Sequence, residues 1–313
     1  MIFCWPVRQL YLFAMSSTPR YRGRFAPSPT GPLHLGSLLA AAGSYLQAKA
    51  NNGLWLVRIE NIDPPREVPG ATDDILRTLE AYGLYWDESV LQQSTRDSAY
   101  ADVLSQLRGQ DQLYPCRCSR KQIGEHARIG VAGPIYPDFC RELKPDYTAP
   151  YSLRLRTEET VIQFDDPVFG PLQQNIHHEI GDFVLQRADG LYNYQLAVVV
   201  DDAFQGITEV VRGHDLYGLT PAQIYLQQQL GYATPAYVHL PLLVTDNGQK
   251  LSKQNGARAI DKSRPIPTLM QILALLGQQP PAELSQASVE EFWQWAISHW
   301  QLSQVPRQAH LPL

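Results

Sequence analysis

Residues 24–37 read Arg-Phe-Ala-Pro-Ser-Pro-Thr-Gly-Pro-Leu-His-Leu-Gly-Ser. An extended start, a Pro/Gly turn and then His34 at the opening of an apolar stretch describe a strand that turns directly into a helix. The unpaired N–H groups and the positive dipole end of such a helix suit an anion. Far downstream, Lys250-Leu251-Ser252-Lys253-Gln254 follows the turn Asn247-Gly248. Its two ammonium groups can reach one polyphosphate. Singly, each feature is ordinary, because a histidine at a helix start commonly just bonds the backbone and loop lysines are usually solvated. Together they point to ATP phosphates.

Outward from this stretch, residues 21–26 are expected as a strand and 34–50 as a helix with Leu38, Leu39, Ala42, Tyr45 and Leu46 inward. Residues 54–59 form a near-continuous apolar run, the pattern of a strand covered on both faces. Strand, helix, strand at this spacing is a right-handed crossover unit. Helices at 72–82 and 96–107 complete an α/β layer of the nucleotide-binding kind. From 114 to 151 the composition turns to Cys, Pro, Gly and charge, which reads as an irregular insertion, followed by short strands at 152–156, 161–164 and 182–186. The α/β pattern resumes with the apolar segment 194–200, a strand at 208–211, a helix from Thr220-Pro221, and a buried strand at 237–244 leading into the lysine segment. Two amphipathic helices are expected at 268–276 and 289–300.

With 313 residues, 44% of them hydrophobic, the chain is globular and long enough for one large core or two smaller ones. The formal net charge of −5 argues against a protein that coats nucleic acid nonspecifically, while leaving room for a local basic face. No apolar run reaches the roughly 18 residues that span a membrane. A cytoplasmic protein without a membrane partner is expected, with residues 1–20 a disordered extension or a start-site artefact ahead of Met15.

Three of the four cysteines, Cys116, Cys118 and Cys140, fall in the Pro/Gly-rich segment. That clustering suits a metal in a reducing compartment better than disulfides. Three thiolates are a soft donor set for a structural zinc ion, which takes four ligands, and His126 lies in the same loop as an imidazole candidate. Arg117, Arg120, Lys121, Arg128, Arg141 and Lys144 make the insertion basic, with Tyr114, Tyr136 and Tyr147 interleaved. This reads either as an RNA surface or as charge balance for the thiolates.

In this order, residues 24–31, His34-Leu35-Gly36-Ser37, Arg58-Ile59-Glu60, Asp201-Asp202, Val211-Arg212-Gly213 and residues 250–254 resemble the class I aminoacyl-tRNA synthetases. Within them the chain resembles the glutamyl branch, and more closely the short glutamyl-Q tRNA(Asp) synthetase family. The resemblance implies an α/β fold: a Rossmann-like parallel sheet with a zinc-containing insertion and a short helical C-terminal region. The corresponding division is 21–113 and 191–255 for the two catalytic halves, 114–190 for the insertion, and 256–313 for a helical end without a full anticodon-binding domain.

The resemblance also implies the chemistry. L-glutamate is activated by ATP with Mg2+, and glutamate passes to the queuosine base in the anticodon loop of tRNA(Asp), the enzyme acting as a monomer. His34, Lys250 and Lys253 are then catalytic, with His34, Gly36 and Lys253 on ATP, and Arg24, Phe25, Ala26, Pro27, Ser28, Glu60, Tyr194 and Arg212 on glutamate. Physical sense agrees, since an anionic side chain needs an arginine and a substrate ammonium needs a carboxylate. The family pattern gives the fourth zinc ligand as Tyr136, beside Cys116, Cys118 and Cys140. Ser37 stands where the family often has His, so His34 carries more of the load, and Asn61 stands where an Asp is common. Competing readings are a conventional glutamyl-tRNA synthetase charging a tRNA 3′ end, a nucleotidylyltransferase for another acid, and a zinc-containing RNA-binding module with a decayed site.

Overall fold

The computed structural model describes residues 20–131, 133–148, 150–245 and 259–313. Strand Arg22–Phe25 pairs in parallel with Leu54–Ile59, Arg22 opposite Leu54, and helix Leu35–Ala50 makes the crossover between them. Leu54–Ile59 in turn pairs in parallel with the short strand Leu91–Gln92. A second parallel pair, Glu209–Gly213 with Ala236–Leu240, is joined by helix Thr220–Leu230. The pairs meet where Thr208 N–H donates to the Arg22 carbonyl at 2.9 Å and Arg22 N–H donates to Thr208 Oγ1 at 2.9 Å.

Alternation along Leu54–Ile59 explains the layering. Trp55, Val57 and Ile59 enter one apolar core, shared with helix Leu35–Ala50 and the C-terminal helices Pro265–Leu275 and Val289–His299. Leu56 points the other way, into a core built with helices Asp97–Gly109, Tyr194–Phe204 and Thr220–Leu230. Arg58 shares the face of Leu56, as period two requires. It is therefore fully buried.

The segment 114–151 is more ordered than its composition suggested, and the strands expected after it are present as Ser152–Leu155, Val161–Asp166 and Phe183–Gln186. Leu113–Cys116, Ser152–Leu155 and Phe183–Gln186 form an antiparallel sheet with Ser152–Leu155 central. Val161–Asp166 and Gly170–Asn175 make a hairpin, and helix Arg120–His126 opens on a Ser119/Gln122 capping box. One further segment gains a type and one reading changes. The segment from 194 is a helix, Tyr194–Phe204, capped by the Asn193 side chain. The expected strand at 237–244 is two strands, because Pro241 lacks the N–H that a continuing ladder needs. Beyond it, Leu242–Val244 pairs in parallel with His310–Pro312 instead. Among the described residues no helix is long and apolar enough to cross a membrane.

Gly277, at φ +74°, ends helix Pro265–Leu275 in the left-handed region, and an added Cβ there would overlap the Gln304 carbonyl oxygen. Gly277→Ala is therefore expected to lower stability by more than about 1 kcal/mol, read as a lower denaturant midpoint at unchanged slope.

Candidate active site

The loop after the first strand, the end of the second, the start of helix Tyr194–Phe204 and strand Glu209–Gly213 open onto one cleft of about 650 Å³. Arg24, Phe25, Ala26, Pro27, Ser28, His34, Gly36, Glu60, Tyr194 and Arg212 all line it. The chain has thus gathered ten expected site residues from five separate segments. Lys250 and Lys253 lie outside the described residues.

At the base of the cleft, a buried ion network joins the two halves of the sheet. Asp202 accepts from Arg24 Nε at 3.1 Å and Nη2 at 3.3 Å, and from Arg58 Nη1 at 2.8 Å. Arg58 Nη2 reaches Glu60 Oε1 at 3.4 Å. Burial alone would raise the Asp202 carboxyl, but the guanidiniums of Arg24 and Arg58 outweigh it and hold it below the usual carboxylate range. For Glu60 burial wins, pushing its carboxyl up against the pull of Arg58 and Arg24. Burial, reinforced by the Glu60 carboxylate, likewise raises Tyr194 and keeps its phenol a donor.

Arg212 is buried, and among the described residues its hydrogen-bond partners include no carboxylate. Its Nη1 donates to Gln223 Oε1 at 2.7 Å, its Nη2 to Thr220 Oγ1 at 2.7 Å, and its Nε to His239 Nε2 at 3.2 Å. His239 Nδ1 lies 2.7 Å from Asp166 Oδ2. Burial lowers His239 to about 4, although the Asp166 hydrogen bond opposes this, so the ring is neutral at pH 7.

His34 is the N-cap of helix Leu35–Ala50. Ser37 N–H donates to His34 Nδ1 at 3.2 Å, and His34 N–H donates to Ser37 Oγ at 2.8 Å. Serine in place of a second imidazole thus completes a reciprocal cap. Asn61, likewise, carries no charge to the cleft: its Nδ2 donates to Ser94 Oγ at 2.8 Å.

Sequence reasoning missed the roles of Asp202, Asp166, His239 and Gln223. Asp202 had a legible signal, since a carboxylate closing the apolar run 196–200 is buried with the helix face and needs an arginine. His239 inside an apolar strand was a weaker one.

The second constellation lies in the insertion. The Sγ atoms of Cys116, Cys118 and Cys140 all lie within 4.8 Å of one another, and Cys118 and Cys140 are 3.6 Å apart. The Tyr136 hydroxyl stands 3.4 Å from Cys116 Sγ and 3.5 Å from Cys118 Sγ, and it accepts from Cys140 N–H at 2.9 Å. Burial disfavours the Cys116 thiolate, but the Tyr136 hydroxyl and the Arg154 guanidinium outweigh it and bring the thiol below its ordinary value. The set could hold a metal ion. His126 is not part of it: its Nδ1 lies 3.2 Å from the Gln122 carbonyl and its ring packs edge-on to Phe139. Tyr114 and Tyr136 are buried, which removes them as stacking surfaces and leaves Tyr147 exposed. Arg117 pairs with Asp146 at 2.7 Å and Arg141 with Asp182 at 2.6 Å, so part of the basic character is neutralised within the insertion.

Comparison with known proteins gives the family and the fold. The family described as tRNA synthetases class I (E and Q), catalytic domain, matches residues 20–303. A glutamyl-Q tRNA(Asp) synthetase of Thiobacillus denitrificans is 53% identical over 284 residues, covering 91% of this chain and 94% of that protein. One from Pseudomonas aeruginosa is 50% identical over 295 residues, covering 94% and 98%. The crystal structure of a glutamate tRNA ligase from Elizabethkingia meningosepticum, in complex with its amino acid, superposes with a TM-score of 0.77 at 26% identity, covering 93% of this chain and 67% of that one. The chain belongs to the class I aminoacyl-tRNA synthetases of the E and Q type and, within them, to the glutamyl-Q tRNA(Asp) synthetase family.

Asp202→Asn leaves two buried guanidiniums sharing Glu60, and a loss of about 3–5 kcal/mol is expected. The sign of its pH dependence is fixed by the depressed carboxyl of Asp202. Its contribution is present above the unfolded carboxylate value of about 4 and is lost as pH falls through the lower folded value. Glu60, with its raised carboxyl, acts oppositely: it opposes folding at neutral pH and ceases to do so on acidification. Urea titrations of both proteins between neutral and acid pH should therefore converge on the acid side.

Proposed function

We propose that this chain activates L-glutamate with ATP and transfers it to the queuosine base in the anticodon loop of tRNA(Asp). One observation supports this most: Arg212, a buried guanidinium that meets no carboxylate among the described residues, lines the same cleft as Glu60, Tyr194 and the capped helix start at His34. A cation and an anion in one cleft match the γ-carboxylate and ammonium of an amino dicarboxylate. Arg212 and Arg24 take the side-chain carboxylate, Tyr194 donates its hydroxyl, Glu60 takes the ammonium, and residues 25–28 form the wall.

In the activation step an oxygen of the α-carboxylate attacks the α-phosphorus of ATP. The bond to the bridging oxygen breaks and pyrophosphate leaves. Negative charge grows on the phosphoryl oxygens, where His34, the N–H groups near Gly36, and Lys250 with Lys253 stabilise it. A magnesium ion carried by the nucleotide supplies further positive charge. In the second step a hydroxyl of the cyclopentene-diol attacks the adenylate carbonyl, and AMP leaves. The name of the Thiobacillus and Pseudomonas relatives supports the modified-base acceptor. We propose the same division of the chain as the resemblance implies, with 114–190 as an insertion between two catalytic halves.

The metal of the insertion is proposed to be a structural zinc ion on Cys116, Cys118, Cys140 and Tyr136. Tetrahedral zinc–thiolate bonds of about 2.3 Å set sulfurs about 3.8 Å apart. The 3.6 Å between Cys118 and Cys140 suits that spacing. The local core of Tyr114, Cys116 and Tyr136 is small, so a metal would supply much of the cohesion of this module.

ATP–pyrophosphate exchange without RNA is expected with glutamate and not with the other common amino acids; absence of exchange with glutamate refutes the substrate. Labelled glutamate should then appear on queuosine-containing tRNA(Asp), whereas equal labelling of queuosine-lacking tRNA(Asp), or labelling of tRNA(Glu) instead, refutes the acceptor. Cys140→Ser should lower bound zinc, measured by atomic emission, from about one per chain toward zero. Unchanged stoichiometry removes the zinc site.

A further inference from the structure

We propose that Gln223, together with the Asp166–His239 pair, makes the cleft choose an acidic over an amide side chain by holding Arg212 in a cradle of neutral acceptors. The inference rests on the glutamate reading above and assigns the residues that would enforce it.

Three buried guanidiniums lie at or beneath the cleft, and they are neutralised unequally. Arg24 and Arg58 share the Asp202 carboxylate. Among the described residues Arg212 meets the Gln223 amide oxygen, the Thr220 hydroxyl, the Leu216 carbonyl and an imidazole nitrogen of His239, and no carboxylate. Hydrogen bonds to neutral acceptors fix the direction of a guanidinium without cancelling its charge. The charge is left for whatever enters the cleft, and a carboxylate gains far more from it than an amide does.

Each acceptor is itself held in the correct sense. Asp166 takes the His239 backbone N–H at 2.8 Å and the ring Nδ1 at 2.7 Å, so the proton sits on Nδ1 and the Nε2 lone pair faces Arg212. The other Asp166 oxygen is occupied by Val168 N–H at 2.8 Å and Phe169 N–H at 2.9 Å. A negative charge thus stands behind the imidazole, and a ring lies between it and the guanidinium. Gln223 Nε2 donates to Gln195 Oε1 at 2.9 Å, which turns the Gln223 carbonyl end toward Arg212. These are positioning residues. Asp166 closes the hairpin strand Val161–Asp166, so the insertion contributes to the cleft from behind.

The test is Gln223→Glu, which changes one amide to a carboxylate at nearly constant volume; the Gln195 amide can turn to donate to the new oxygen. In amino-acid-dependent pyrophosphate exchange, KM for glutamate is expected to rise about 10- to 100-fold with kcat within about threefold, since a contact equally strong in ground and transition states acts on KM. The inhibition constant of glutamine should change much less, so that the ratio of that constant to the glutamate KM falls at least about tenfold, which a general loss of packing would not produce. A folded variant with glutamate KM within about threefold of the parent, or with glutamate and glutamine weakened equally, overturns the proposal. If Gln223→Glu does not fold, Thr220→Asp, which sets a carboxylate against Arg212 Nη2, decides by the same two numbers: a fall in the ratio supports the cradle and an unchanged ratio refutes it. A parent protein without glutamate-dependent exchange would refute the substrate reading instead, which separates the two failures.

Discussion

The fold turns on one carboxylate. Asp202 reaches from helix Tyr194–Phe204, in the second half of the chain, to Arg24 and Arg58 on the first two strands. Two guanidiniums taken out of water cost several kcal/mol each unless an anion meets them, so this contact decides whether the halves can close. The neighbouring residue sharpens the constraint. Asp201, about 100° further round the helix, accepts from Gln93 Nε2, Arg96 Nε and the Tyr100 hydroxyl at 3.0, 3.1 and 2.6 Å. Two adjacent acids with different partners fix the rotation of the helix about its axis, and with it the direction in which Tyr194 enters the cleft.

A comparable hub holds the insertion. Asp182 is buried and accepts from the Tyr114 hydroxyl at 2.6 Å, Arg141 Nη1 at 2.6 Å, and both N–H and Oγ1 of Thr157 at 2.7 Å. The same module carries Arg154, whose guanidinium lies 3.8 Å over the Tyr136 ring while its Nη1 donates to the Asp182 carbonyl. These polar contacts tie the thiol cluster to the antiparallel sheet of the insertion, whose Leu153, Leu155 and Leu185 enter the apolar core shared with helices Asp97–Gly109, Tyr194–Phe204 and Thr220–Leu230.

Much of this was legible in the sequence. The strand–helix–strand unit around residues 24–59 followed from hydrophobic period and turn chemistry, while the ten residues that line the cleft were named through the family resemblance. The three cysteines were legible as a group from their spacing. What was not legible had physical reasons. An apolar run such as 194–200 fits a buried strand or a buried helix equally until the Asn193 cap is recognised. Pro241 marked a break, yet only the distant partner His310–Pro312 makes the second piece a strand. Tyr136 against His126 was open, because spacing alone does not say which side chain turns toward the thiols. Gln223 was invisible and His239 only faintly marked by its apolar strand, since nothing local distinguishes a core histidine or glutamine from one that holds an arginine.

The reciprocal cap between His34 and Ser37 also reaches into proton chemistry. With Nδ1 committed as an acceptor to the Ser37 amide, the neutral ring can keep its hydrogen only on Nε2. The other tautomer would set two hydrogens against each other and open the first helical turn. Folding of that turn thus selects the protonation isomer in advance and fixes which ring nitrogen carries the hydrogen.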